Sequence, residues 1–186
     1  DGCYNYDKLK KEGLVEWVMI DFAKFNTPSL FDDVDKIFKE FKDQNMPSEC
    51  YGWRSWRIEK TIEKHSNNQL IWVDKRGYDF ISGNVKYEFK QVKDAFKKIT
   101  TPSITIKNYR GKCLGLSEKT FDYLIVMDVD RRMLAMYNWD YVSKVFKVND
   151  ANVTAVLELS EAIDVKLEPN GLSELLWLNL KIGWIQ

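Results

Sequence analysis

A chain of 186 residues, 45% of them hydrophobic, is long enough for one well-packed domain and leaves little room for two of ordinary size. Lys and Arg balance Asp and Glu at 28 each, so net charge by itself argues neither for nor against a polyanionic partner. No apolar run reaches the length of a membrane span, the opening DGCYNYDKLKKEG is too polar for a signal peptide, and Cys3, Cys50 and Cys113 have neither metal-ligand spacing nor disulfide-scaffold density, which points to a reducing, intracellular setting such as the cytoplasm.

Residues 1–50 read as a helical N-terminal region. In 8–25, Leu14, Val15, Val18, Met19 and Phe22 recur at helical spacing. In PSLFDDVDKIFKEFKDQ, Ser29 and Asp32 suit a capping box, and Phe31, Val34, Ile37, Phe38 and Phe41 form the buried stripe. PSECYGW reads as a break, after which 54–65 form a third helix with Trp56 or Ile58 and Ile62 facing inward. Strands follow: QLIWVD, GYDFIS and VKYEFKQVK, the last two joined by the hairpin turn SGN at 82–84. DAFKKI is ambiguous, TPSITIKN suits an edge strand, and NYRGKCLG a loop. FDYLIVMDV at 121–129 is the best candidate for the sheet centre, with RMLAMYNW beside it across the turn DVDR. DYVSKVFKV looks helical, and the order of elements beyond it is open. The expected architecture is a single α/β (α+β) domain over 1–186, with a mixed central sheet and flanking helices.

Charge is unevenly placed. Residues 51–112 carry fourteen Lys and Arg against six Asp and Glu, whereas 1–50 and 113–186 each carry seven against eleven. The basic third is what a polyanion binder can show, and also what a solvated charged face can show.

Inside that basic third lies KYEFKQVK. In an extended strand Glu88 and Lys90 share a face, while Tyr87, Phe89 and Gln91 take the other. A hairpin partner ending in Asp79 brings a second carboxylate opposite Glu88. Two hard oxygen ligands suit Mg²⁺, with Mn²⁺ able to substitute, and Lys90 is placed to orient or deprotonate a water or to offset charge on a phosphate. Without context, the same residues also make an ordinary cross-strand charge pair.

The order of elements around this pair, over roughly 54–145, resembles the catalytic core of the PD-(D/E)xK nuclease superfamily. Asp79 matches its first acidic residue, nine positions before Glu88, and Glu88-Phe89-Lys90 spells its E-x-K. Tyr78 stands where the motif has Pro. Glu59 resembles the acid that some members place on the preceding helix, with Glu63 as its neighbour, and 121–129 and 132–139 resemble the next two core strands. The resemblance implies divalent-metal-dependent hydrolysis of DNA phosphodiester bonds leaving 5′-phosphates, as in a dimeric, site-specific type II restriction enzyme acting on double-stranded DNA. It implies a metal shell of Asp79, Glu88, the Phe89 carbonyl and Glu59. DNA-repair, junction and RNA nucleases share that core.

Arg54, Arg57, Lys97, Lys98, Lys107, Asn108, Arg110 and Lys112 are the candidate nucleic-acid contacts. Gln91 points away from Lys90, Lys93 enters the cleft only if the strand bends, and Trp53 and Trp56 read as core or interface rings. His65 is the only histidine and reads as the end of a helix, so histidine-based acid–base or metal chemistry has little to work with. No glycine-rich phosphate loop or serine nucleophile elbow is present, so no nucleotide cofactor is expected. Asp122, Asp128 and Asp130 read as turn residues, Asp128 mattering only if it stands beside Asp79. The competing function is a noncatalytic nucleic-acid-binding domain.

Overall fold

The computed structural model describes residues 19–47, 50–75, 77–93, 103–109, 119–149 and 152–168. Nine strands lie in chain order: β1 (Ile71–Lys75), β2 (Tyr78–Ser82), β3 (Val85–Val92), β4 (Ser103–Tyr109), β5 (Tyr123–Asp128), β6 (Met133–Asn138), β7 (Phe146–Asn149), β8 (Asn152–Glu158) and β9 (Asp164–Leu167). A six-stranded sheet runs β1-β2-β3-β5-β6-β9, and a separate three-stranded sheet runs β4-β8-β7. All pairings are antiparallel except β3 with β5. The mixed central sheet is as expected.

Helices α1 (Thr27–Asp43) and α2 (Tyr51–His65) cover one face of the large sheet. Leu30, Phe31, Val34, Ile37 and Phe41 of α1 and Ile58 and Ile62 of α2 share a core with Tyr87, Phe89, Ile125 and Met127. The other face packs on the small sheet and on helix α3 (Trp139–Val145), with Leu124, Val126, Ala135 and Tyr137 against Ile104, Ile106, Ala155, Leu157 and Val142. Both faces of β5 are therefore buried. That is why its sequence is continuously apolar rather than alternating.

His65 closes α2 and pins it to α1, its Nε2 lying 2.9 Å from Asp33 Oδ2. That bond, with Lys36, holds the Asp33 carboxyl well below the usual carboxylate range against the opposing effect of desolvation.

Several expectations are corrected. Residues 1–18 lie outside the described residues, but Met19–Asp21 are not helical and Phe22–Lys24 form only a 3-10 turn, with Asp21 accepting from the Ala23 N–H at 2.8 Å. Helix α1 begins at Thr27 with Asn26 as N-cap, so Ser29 lies inside its first turn and no capping box starts there; Phe38 is only partly buried. Helix α2 begins at Tyr51, so Gly52 is helical rather than part of a break. Ile58 and Ile62 are fully buried, whereas Trp56 is 43% exposed. The DYVSKVFKV segment is helical only to Val145, its remainder being β7. DAFKKI lies outside the described residues. The described part of TPSITIKN, from Ser103 on, does form an edge strand, but in the second sheet.

Candidate active site

The site is built at the start of β2, where its register with β1 shifts. The β2–β3 register runs from Ser82–Val85 to Phe80–Tyr87, which puts Asp79 next in line opposite Glu88. On the other side, Trp72 pairs with Phe80 but Lys75 pairs with Tyr78, so two residues of β1 oppose Asp79 alone. A bulge of this kind re-aims the facing side chain. The Asp79 carboxylate turns to β3, where its Oδ2 accepts the Phe89 N–H at 2.8 Å.

The approach to Asp79 is fixed two residues earlier by a glycine. Gly77 has φ +95°, and a Cβ there would lie 2.7 Å from the Thr120 side chain, whose hydroxyl donates to the Gly77 carbonyl at 2.8 Å. Only glycine fits that turn without strain.

Glu88 and Lys90 occupy the face of β3 expected from alternation. They are in register with Leu124 and Val126, on the small-sheet side, while the Tyr87 and Phe89 rings enter the helix-side core. Lys90 Nζ donates to Glu88 Oε1, and Glu88 is only 7% exposed. Glu59 approaches from the helix side, where its Oε2 accepts the Trp72 indole N–H at 2.9 Å.

These groups act on Asp79 together. Burial pushes its pKa up from 3.8 to about 7; the charges of Glu88 and Glu59 push the same way, while Lys90 and the Phe89 N–H oppose them. A half-buried carboxylate facing two other acids is an environment that favours a bound cation or a held proton.

The donor set fits a hard divalent ion, which needs few protein ligands, through Asp79 and Glu88. Among the described residues no three His, Cys, Asp or Glu side chains gather into a metal-holding group, so Glu59 is a charged neighbour of Asp79 and does not close a three-acid cage. Glu63 is engaged elsewhere, accepting from the Trp72 backbone N–H at 2.8 Å and pairing with Lys60. Asp128 is not beside Asp79: it lies opposite Val92 in the β3–β5 register, and Arg131 holds it through Nε–Oδ2 at 3.2 Å.

Of the nucleic-acid candidates, Arg54 lies over the rings of Tyr51 and Phe38, and Arg57 bonds Glu40 at 2.7 Å. Both are drawn toward α1 and not toward Asp79. Lys97, Lys98, Arg110 and Lys112 lie outside the described residues, as do the side chains of Lys107 and Asn108, whose backbones pair with Thr154 and Val153. Gln91 points to the helix side as expected, donating to Ser55 Oγ at 3.3 Å, and Lys93 also turns that way. Trp53 is 48% exposed, as an interface ring can be and a core ring cannot.

Trp72, Gly77 and Thr120 were not among the residues singled out from sequence. The only signal for them was the glycine two positions before Asp79.

Comparison of the chain with protein-family profiles, curated proteins and solved structures finds no match. Among the described residues no helix is long and apolar enough to cross a membrane.

Proposed function

We propose that the protein is a divalent-metal-dependent nuclease that hydrolyses DNA phosphodiester bonds at Asp79, Glu88 and Lys90. One observation carries this reading: Asp79, facing the bulge of β1, stands in the field of Glu88, with Lys90 donating to Glu88, in a half-buried setting that pushes the Asp79 pKa up to about 7. A simple solvated charge pair on a hairpin needs neither the bulge nor the buried second acid.

Asp79 and Glu88 would hold Mg²⁺ or Mn²⁺, with the Phe89 carbonyl adjoining. An ion there supplies Lewis-acid polarisation of the phosphoryl oxygens and acidifies a water. Asp79 is oriented for its part by the Phe89 N–H, which leaves its other oxygen to the ion. Lys90 sits beside Glu88 as a donor, which favours charge stabilisation of the phosphoryl group over proton abstraction. Glu59 stays on Trp72 and sets the field at Asp79. The order α2, β1, β2, β3 followed by the parallel β5 supports the PD-(D/E)xK resemblance. Double-stranded DNA, a homodimer and site-specific restriction cleavage are the narrower form of the proposal.

The test is incubation with linear duplex, single-stranded and branched DNA and with RNA, each with Mg²⁺, Mn²⁺ or EDTA, followed by mapping of the ends. Metal-dependent products from DNA carrying 5′-phosphates, absent with Glu88→Gln, support the reading. Salt-sensitive binding without cleavage of any substrate supports a noncatalytic nucleic-acid-binding domain instead.

A further inference from the structure

Beyond the carboxylates, the helix side of the β3 terminus holds two cations that no acid among the described residues neutralises. Lys93 Nζ lies 3.9 Å from the centroid of the Phe38 ring, and Arg54 Cζ lies 4.8 Å from the same centroid. Among the described residues neither makes a salt bridge, although Arg57, Lys60, Lys64 and Lys36 nearby are each paired with an acid. Arg54 Nε is buried without a hydrogen-bond partner, and so is Gln91 Oε1 two residues before Lys93. The first turn of α2, which carries Arg54, contains no acidic residue and has no side-chain N-cap bond.

Cation–π contacts stabilise each of these groups by about 0.5–2 kcal/mol, but they do not remove the repulsion between two positive charges brought to one ring. An oxyanion does. The guanidinium presents a planar donor fork and the ammonium a mobile point charge, a combination suited to the non-bridging oxygens of a phosphate, and an uncapped helix start adds to the favourable field.

We infer that Arg54 and Lys93 form a phosphate subsite on the helix side of the β3 terminus. This rests on the nuclease reading for the identity of the anion, a backbone phosphate flanking the scissile one. Lys93 follows the last residue of β3, about 10 Å beyond Lys90 along the strand direction and on the opposite, helix-side face of the sheet, so a strand of nucleic acid passing the end of β3 would present it a phosphate about three nucleotide rises of about 3.4 Å from the scissile one. On α2, Arg54 lies little more than one turn before Glu59, so one strand of nucleic acid following the α2 edge reaches both places.

The test uses Lys93→Met, which removes the charge while leaving an apolar stem over Phe38, in the full chain. Thermal melting is followed against inorganic phosphate, with chloride at equal ionic strength as reference. Binding of a fluorescein-labelled DNA duplex to the Glu88→Gln protein, with and without Lys93→Met, is followed by anisotropy across a salt series, and cleavage kinetics are compared in the Glu88 background. A saturable phosphate-specific rise in melting temperature that Lys93→Met abolishes is expected, together with DNA binding weakened about three- to tenfold, a salt slope smaller by about one, and a raised KM. An unchanged phosphate response and salt slope in folded Lys93→Met overturns the subsite, even if the native protein cuts DNA. A phosphate response lost in Lys93→Met, in a protein that cuts nothing, keeps the anion subsite and removes the nuclease reading.

Discussion

The backbone N–H of Phe89 donates to Asp79 Oδ2 at 2.8 Å, and this bond places the first acid of the site against the strand that carries the second. The Phe89 ring is buried in the helix-side core, so the donor is held rigidly. A carboxylate so held, beside Glu88, has an ionisation coupled to both folding and cation binding.

The first prediction concerns stability and pH. Asp79 has its pKa pushed from 3.8 to about 7 in the folded protein. Folding therefore strengthens proton binding, and the stability this group contributes is full below about pH 4, declines as pH rises, and is gone above about pH 7. Asp79→Asn cannot ionise, and its Oδ1 can still accept from Phe89. Relative to the native chain it should gain stability between pH 4 and 7 and hold about 1–3 kcal/mol at pH 8 without divalent ions. Urea unfolding across that range checks this, and an Asn variant less stable at pH 8 than at pH 4, relative to native, contradicts it.

A second prediction separates the two basic roles open to Lys90. As a charge-stabilising donor it should be replaced in part by Arg and not by Met. Lys90→Met should cut single-turnover cleavage by about 10²-fold or more while leaving Mn²⁺ binding in place, with Lys90→Arg between the two. A log-rate profile for Lys90→Arg that loses its basic dependence while the rate collapses as far as in Lys90→Met points to proton abstraction instead.

Glu59 provides the third. Its charge raises the Asp79 pKa from across Trp72. Glu59→Gln keeps an acceptor for the indole and removes the charge, so the acid limb of the cleavage profile should move to lower pH by less than about one unit, with the rate at pH 8 within about threefold of native. Loss of all cleavage in a folded Glu59→Gln protein would assign it to the metal shell.

The fourth rests on Gly77. With φ +95° and Thr120 at 2.7 Å from an added Cβ, Gly77→Ala strains the turn that delivers Asp79. Destabilisation of about 1–3 kcal/mol in urea unfolding is expected, with reduced cleavage under conditions where the variant remains folded. Native stability in Gly77→Ala contradicts the role given to that turn.

The acidic hairpin was legible in the chain because strand alternation and a short turn fix which side chains face each other: Glu88 and Lys90 share a face, and Gly83 turns the chain with φ 60°. Helix α2 and β5 were legible for the same reason, through their periodicity and apolar continuity. The bulge at β1 was not, since it is a difference in register between strands that leaves no mark on either one alone. Over 19–25, the described part of the helical pattern at 8–25, the α-helix does not form, because Ile20 is buried beside the sheet from non-helical backbone and Phe22 from a 3-10 turn, with the Ile20 N–H directed at the Tyr87 hydroxyl at 3.4 Å. The small sheet escaped because β4 comes from far upstream of the adjacent β7 and β8, and β7 continues directly from α3. The placement of Arg54 depended on Phe38, sixteen residues away on another helix, which no local pattern reports.

The central claim is that Asp79 and Glu88 together hold a divalent ion. The direct measurement is Mn²⁺ titration followed by electron paramagnetic resonance at pH 8 and pH 6, on the native chain, Asp79→Asn and Glu88→Gln. The account predicts a site on the native chain that weakens about tenfold or less at pH 6, as protons compete for Asp79, and that is lost or strongly weakened in both variants. Native-like Mn²⁺ binding in folded Asp79→Asn and Glu88→Gln would contradict it.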